Sequence, residues 1–169
     1  MINVTKTTLP EVLRIELPPF RDHRGIFKVL YRKEEYKKAG IPVEFVQENS
    51  SSSYKNVLRG LHGDSKTWKL VSCTHGSIYL VVLNYNSISP SFGKWKHFIL
   101  SELDRFQILI PPMYAIGHLV LSNEATFHYK ESEYYTDGKN QFTVKWNDPR
   151  FNISWPITNP ILSSRDSLV

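Results

Sequence analysis

Arg59 and His62 lie three residues apart in the segment 56–64, NVLRGLHGD, whose apolar residues indicate a β-strand. A neutral histidine can act as a general base, and the planar fork of an arginine suits phosphate oxygens. Residues three apart on a strand point to opposite faces. The two side chains therefore enter one cavity only if Gly60 bends or bulges the strand. The alternative is an ordinary histidine at a strand end with an exposed arginine nearby.

The elements that would position these residues are strands. Aromatic and β-branched segments recur between turn residues, as at 77–83 and 106–112, which favours an all-β sandwich or barrel. Only residues 31–39 predict a short helix, because Gly40 and Pro42 stand where such a helix should stop. With 169 residues, of which 41% are hydrophobic, we expect one domain that spans residues 1–169.

Cysteine content and hydropathy predict a protein of the reducing cytoplasm. The single cysteine, Cys73, lies in an apolar run, so no intrachain disulfide is possible and a buried strand thiol is expected. The N-terminus has no basic region followed by an apolar core, and no run of about eighteen apolar residues occurs. We therefore expect a soluble, unexported protein without a membrane partner.

The positive charge of the chain does not by itself indicate a partner. The net charge is +5, but the 21 basic residues are scattered. Their densest group, at residues 32–38, is interrupted by acids, which indicates a solvated helix face rather than a nucleic-acid interface. A modest positive field would equally suit a small molecule that carries a diphosphate. Composition does not separate these two interpretations.

Five segments in sequence order resemble motifs of one enzyme family. They are FRDHRGIF (20–27), FVQENSSSSYKNVLRGLH (45–62), SPSFGKW (89–95), WNDPRFNISWP (146–156) and LSSRD (162–166). Together they resemble the dTDP-4-dehydrorhamnose 3,5-epimerases. The resemblance implies a cupin-type jelly roll, or double-stranded β-helix, with one or two short helices. It also implies a homodimer, in which the N-terminal strand that bears Arg24 reaches the pocket of the neighbouring subunit. The implied substrate is a nucleotide-diphosphate sugar, and no cofactor or metal is expected.

The resemblance also implies catalytic roles for individual residues. An epimerase that works beside a ketone needs a base on one face of the carbon, an acid on the other and a cation near the enolate oxygen. His62 aligns with the family's base, and Asp166 aligns with the carboxylate that orients it. Lys69 aligns with the cation, and Tyr129 aligns with the tyrosine that reprotonates the opposite face. The alternatives are a frayed tail residue for Asp166, a solvent-facing strand position for Lys69 and a cross-strand aromatic for Tyr129.

Other motif positions imply substrate contacts. Arginines of this family clamp the diphosphate, and a tyrosine lines the nucleotide pocket. Gln47 and Asn49 have an alternative role, because amides at strand ends often satisfy local backbone groups. The positions implied to bind substrate are Arg24, Gln47, Asn49, Arg59 and Tyr135.

The sequence departs from the family pattern around the substrate. Ile116 stands at a family histidine, while His118, two residues later, keeps the same strand face. We therefore assign His118 to substrate binding. Val29 replaces a glutamate, and Gly63 follows the base where the family has an aromatic residue. These changes resemble instead a subgroup that acts on GDP-linked 4-keto-6-deoxy-heptose for bacterial capsules.

Three other functions remain open for the same residues. Metal-dependent cupins use a His-x-His pair and a third histidine, for which His62, Asp64 and His118 are the available candidates. A 3,4-ketoisomerase also begins by removing a proton beside the ketone. A binding module would hold the sugar nucleotide without turnover. The combination of His62, Lys69 and Tyr129 favours metal-free epimerisation at carbon 3, carbon 5 or both, because binding alone does not require an acid and a base.

Overall fold

The computed structural model describes residues 1–167 of the chain. Within these residues the backbone forms thirteen strands and two short helices. The strands are β1 (Asn3–Lys6), β2 (Leu13–Glu16), β3 (Phe20–Asp22), β4 (Gly25–Phe27), β5 (Gln47–Tyr54), β6 (Leu58–Asp64), β7 (Lys69–His75), β8 (Ser77–Asn84), β9 (Trp95–Ser101), β10 (Phe106–Ile110), β11 (Tyr114–Val120), β12 (Glu124–Glu131) and β13 (Gln141–Thr143). The helices are α1 (Lys33–Lys38) and α2 (Ser164–Ser167).

Two antiparallel sheets face each other. One has six strands in the order β1-β2-β10-β7-β12-β5, and the other has five in the order β13-β6-β11-β8-β9. Apolar side chains from both sheets, among them Leu80, Ile108 and Phe127, form the core between them. Strands β3 and β4 form a separate hairpin. This nearly all-β arrangement confirms the predicted fold class.

Strand β8 shows why parts of the sequence read as unbroken apolar runs. Ile78 and Leu80 point into the core between the sheets, whereas Tyr79 and Val81 pack in a second cluster on the outer face. The C-terminal segment covers that outer face with Trp155 and other aromatic residues. A strand that is buried on both faces needs apolar residues at every position, which removes the period-2 signal.

Helix α1 covers the outer face of the six-stranded sheet. Tyr36 is buried there beside Ile15 and Leu109. The helix ends where the sequence predicts, since Gly40 adopts a positive φ of 82°, a conformation that favours glycine. None of the helices in the described part of the chain is long and apolar enough to cross a membrane.

Candidate active site

Strand β6 carries the predicted bulge. In its pairing with β11, His62 lies opposite Ile116 and Arg59 lies opposite His118, so the register shifts between the two pairs. Gly60 lies in the irregularity with φ at +124°, and a Cβ there would lie 2.6 Å from both Gly117 Cα and the Ile116 carbonyl oxygen. Arg59 and His62 therefore reach the same cavity, as the sequence requires for a shared site.

The cavity lies between the two sheets and has a volume of about 240 Å³. Both sheets and helix α2 contribute to it, through Arg59, His62, Lys69, His118, Tyr129 and Asp166. A neighbouring cavity of about 350 Å³ shares His62, Lys69 and Tyr129 with the first. Gln47, Asn49 and Tyr135 line the second cavity but not the first. The structure thus brings together every predicted site residue except Arg24.

Asp166 is held against His62 rather than frayed. The distance between His62 Nε2 and Asp166 Oδ1 is 2.6 Å, and the backbone N–H of Gly60 donates to Asp166 Oδ2 at 3.4 Å. The Asp166 backbone N–H donates to Ser163 Oγ, and the residue is only 3% exposed. A carboxylate bound to Nε2 keeps the proton on that nitrogen, which leaves the lone pair on Nδ1.

Burial controls the charge of His62. Removal of the ring from water lowers the pKa of His62, and the hydrogen bond and negative charge of Asp166 oppose this effect only in part. Arg165 and Lys69 lower the pKa further, because a positive neighbour disfavours the imidazolium. Because its pKa is lowered, His62 is neutral at neutral pH and can accept a proton.

Lys69 and Tyr129 face the dyad from the six-stranded sheet. The Lys69 side chain is only 12% exposed, and its Nζ lies 5.9 Å from the centre of the Tyr129 ring. Burial and the charge of Glu131 raise the pKa of Tyr129, whereas Asn49 and Arg59 oppose that increase. The phenol therefore keeps its proton at neutral pH and is able to donate it.

Sequence reasoning missed Glu131. Its buried carboxylate accepts hydrogen bonds from Gln47 Nε2 at 3.2 Å and from Asn49 Nδ2 at 3.0 Å. The Lys69 Nζ lies 3.5 Å from the other carboxylate oxygen. The available signal was spacing, because residues two apart on a strand share a face and Glu131 follows Tyr129 by two.

His118 lies in the first cavity together with Ile116, so the two residues share a face as predicted. Its ring is buried and stacks on Phe127 with 4.3 Å between the ring centres. Burial, with smaller effects from Arg59 and His62, lowers the pKa of His118 to about 3. The imidazole is therefore neutral at physiological pH and offers a polar surface rather than a charge.

Arg24 does not lie in the site of its own chain. It is on the β3–β4 hairpin, where its guanidinium pairs with Asp22 at 2.6 Å and the side chain is 80% exposed. Neither site cavity includes it. The role of Arg24 in substrate binding, which the family resemblance implies, therefore stays a prediction.

The alternative metal site is not assembled. Asp64 Oδ1 accepts hydrogen bonds from the backbone N–H groups of Lys66 and Thr67, and this residue does not line the cavity that contains His62 and His118. Within residues 1–167, no group of three or more histidine, cysteine, aspartate or glutamate side chains is arranged to hold a metal ion.

The cavity of this jelly roll contains a neutral histidine and a protonated tyrosine. Such an acid–base pair suits an isomerase that moves a proton on carbon. Comparison with known proteins agrees with this class. The sequence model of the family described as dTDP-4-dehydrorhamnose 3,5-epimerase matches residues 6–169. The chain is 41% identical over 169 residues to the dTDP-4-dehydrorhamnose 3,5-epimerase of Shigella flexneri, and the alignment covers 98% of this chain and 93% of that protein.

Solved structures show the same relationship. The dTDP-6-deoxy-D-glucose-3,5-epimerase of Legionella pneumophila, in complex with dTDP-4-keto-L-rhamnose, is 37% identical with a TM-score of 0.92, over 99% of this chain and 91% of that one. The dTDP-4-dehydrorhamnose 3,5-epimerase of Bacillus anthracis, with TDP and PPi bound, is 34% identical with a TM-score of 0.94, over 100% and 98%. The chain therefore belongs to the dTDP-4-dehydrorhamnose 3,5-epimerase family.

Membership confirms two predictions and leaves a third without support. The cupin-type jelly roll and the epimerase class of isomerase are confirmed. The subgroup that acts on GDP-linked heptose is not supported, because these relatives are dTDP-sugar enzymes, and a role in capsule synthesis is equally unsupported.

Proposed function

We propose that this protein inverts carbon 3 and carbon 5 of a dTDP-linked 4-keto-6-deoxy-hexose. The observation that carries the proposal is the His62–Asp166 pair, 2.6 Å apart, in one cavity with Lys69 and Tyr129. The similarity to the dTDP-4-dehydrorhamnose 3,5-epimerase of Shigella flexneri supports the substrate class, as does the dTDP-4-keto-L-rhamnose bound to the Legionella pneumophila enzyme.

The proposed reaction uses only side chains of the site. Nδ1 of His62 removes the proton beside the ketone, and the electron pair of the C–H bond moves into an enolate. Asp166 stabilises the imidazolium that forms. The ammonium of Lys69 stabilises the enolate oxygen, an effect worth about 3 kcal/mol for a single donor of this kind.

Tyr129 completes the inversion in this scheme. Its hydroxyl gives a proton to the opposite face of the same carbon, and the tyrosinate that remains regains a proton from solvent. His62 likewise loses its proton to solvent before the next cycle. The high pKa of Tyr129, caused by burial and Glu131, favours the protonated phenol that this step requires.

Polar groups around the two cavities support binding of the nucleotide diphosphate. Arg59 uses Nε to donate to Ser53 Oγ at 2.9 Å, which leaves its terminal nitrogens for phosphate oxygens. Tyr135 lines the second cavity with 61% of its surface exposed, so its ring is free to meet a base. Gln47 accepts a hydrogen bond from the Tyr135 backbone N–H at 2.9 Å and holds this segment in place.

We also propose that the active form is a homodimer. The β3–β4 hairpin exposes Phe20 by 62% and Phe27 by 65%, and its groove is lined by residues of the hairpin alone. Exposed aromatic rings beside an arginine suit contact with a second copy of the chain, whose cavity would then receive Arg24.

Incubation in heavy water tests the proposed function. The protein is mixed with dTDP- and GDP-linked 4-keto-6-deoxy-hexoses and heptoses, and proton NMR locates the incorporated deuterium. We expect deuterium at carbon 3 and carbon 5 of the dTDP-hexose together with inversion. Faster turnover of a GDP-heptose would identify a GDP-linked heptose as the substrate. Deuterium at carbon 3 alone would indicate a 3-epimerase.

The same experiment separates the other candidate functions. Movement of the carbonyl from carbon 4 to carbon 3 would identify a ketoisomerase. Binding of dTDP-sugars without any exchange would identify a binding module. Activity that persists in excess chelator is expected for the acid–base mechanism, and its loss would point to a metal.

A further inference from the structure

Glu131 supplies the carboxylate among the residues that line the second cavity. Its Oε2 accepts from both Gln47 and Asn49, and the Gln47 amide also donates to Asn49 Oδ1 at 3.1 Å. On its other side, Oε1 lies 3.5 Å from the Lys69 ammonium. Only 9% of the Glu131 side chain is exposed, so protein groups rather than bulk water provide most of its solvation.

Such burial is costly unless the charge is paired. An isolated carboxylate taken out of water shifts its charge state, whereas two amide donors and an ammonium compensate the ionised form. The same contacts restrict the partners, because each amide and the ammonium then has one favoured direction. Lys69 and Asn49 belong to different strands, β7 and β5, and both strands pair with β12, which carries Glu131.

We infer that Glu131 is a positioning residue of the epimerase site, whose carboxylate holds the Lys69 ammonium beside the Tyr129 ring and orders the Asn49 and Gln47 amides toward the second cavity. This inference rests on the proposed function for its kinetic consequences. The negative charge also raises the pKa of Tyr129, and so helps to keep the hydroxyl protonated.

Other charged and titratable groups around Tyr129 act in the same space. Arg59 lowers the pKa of Tyr129, and the remaining ionisable side chains that share its two cavities come from β6, β7, β11 and α2. They are His62, Lys69, His118, Arg165 and Asp166, together with Tyr135 from the segment that follows β12. Because Glu131 is the acid that raises the pKa of Tyr129, removal of its charge has a defined sign.

The Glu131→Gln variant keeps the shape of the side chain and removes its charge. The NH₂ group of the glutamine must face either Lys69 or the two amide donors. In one of these contacts two hydrogen-bond donors then face each other, and that contact is lost. We expect kcat on the dTDP-hexose to fall about 10-fold to 10²-fold, the order for a small misplacement of reacting groups. The basic limb of the pH–rate profile should move to lower pH, because the pKa of Tyr129 falls. Glu131→Ala should in addition raise KM, because both amides lose their acceptor.

Glu133→Gln is the matched control. Glu133 lies two residues further along the chain, is exposed, and lines neither site cavity. Its replacement by glutamine removes the same charge. It should retain the kcat and the pH profile of the wild type. Equal kinetics for Glu131→Gln and the wild type would overturn the inference, as would a stability loss in Glu131→Gln with an unmoved pH profile.

A second measurement does not depend on turnover. The protein is labelled with tyrosine carrying ¹³C at Cζ, the Tyr129 signal is assigned with Tyr129→Phe, and its titration is followed by NMR. In Glu131→Gln the signal should titrate at lower pH than in the wild type, whereas in Glu131→Asp, which keeps the charge, it should move less. Equal titration in Glu131→Gln and the wild type would refute the role of the carboxylate. If the wild-type protein does not turn over the dTDP-hexose, the proposed function is refuted. The titration of Tyr129 then still tests whether the Glu131 carboxylate acts on it.

Discussion

Replacement of Asp166 by asparagine removes the charge of the dyad while keeping its size. The carboxylate lies 2.6 Å from His62 Nε2 and is almost fully buried, so it acts on the imidazolium with little screening by water. A hydrogen bond to a charged group contributes about 1.5 to 3 kcal/mol. At about 1.4 kcal/mol per factor of ten, loss of this bond as the imidazolium forms slows proton removal about 10-fold to 10²-fold.

The tautomer of His62 adds to this loss. If the asparagine NH₂ faces Nε2, that nitrogen must accept, and the ring proton moves to Nδ1, where the base is needed. The total decrease in kcat should then reach about 10² to 10⁴, the range for disturbed histidine–carboxylate pairs. The Asp166 charge raises the pKa of His62, so its removal lowers that pKa and moves the acid limb of the pH–rate profile to lower pH.

Initial rates of deuterium incorporation at carbon 3 and carbon 5, measured by proton NMR across the pH range, provide the assay. Asp148→Asn is a suitable control, because Asp148 is a buried aspartate that pairs with Arg150 and lines neither site cavity. It should exchange at the wild-type rate. If Asp166→Asn exchanges within threefold of the wild type and its acid limb does not move, Asp166 does not support the base.

Four further outcomes are expected. His62→Asn should abolish exchange at both carbons, and measurable residual exchange would place the base elsewhere. In Tyr129→Phe, solvent exchange should survive while the rate of inversion falls by about 10² to 10⁴. NMR separates the two effects by comparing the deuterium content with the amount of product formed. Inversion at the wild-type rate would make the tyrosine a packing residue. Gly60→Ala should lower the free energy of unfolding by about 2 kcal/mol or more, measured by urea denaturation, because its Cβ would meet backbone atoms of β11 at 2.6 Å. Light scattering at micromolar concentration should show a dimer, and Arg24→Ala should raise KM more than it lowers kcat, whereas a monomer would remove the basis for a role of Arg24.

Local sequence patterns predict much of the fold. Runs such as 77–83 predict strands because β-branched and aromatic residues recur between turns, and Gly40 marks the end of α1 because the backbone there needs a positive φ. The shared cavity of Arg59 and His62 was also predictable, on the condition that Gly60 disrupts the strand. These features depend on residues that are neighbours in the chain, where alternation and steric limits act directly.

The tertiary structure decided the state of the site. Asp166 lies 104 residues from His62, and only the packing of α2 on β6 brings this carboxylate into a buried hydrogen bond with the histidine. Glu131 acquires its hydrogen-bond and ion-pair partners from two neighbouring strands, and His118 is uncharged because the core around Phe127 excludes water from it. Strand periodicity indicates which face a side chain occupies. The charge of a side chain, its partners and its distance from other groups depend on segments that are remote in sequence. These properties are fixed only when the sheets and the C-terminal helix pack together.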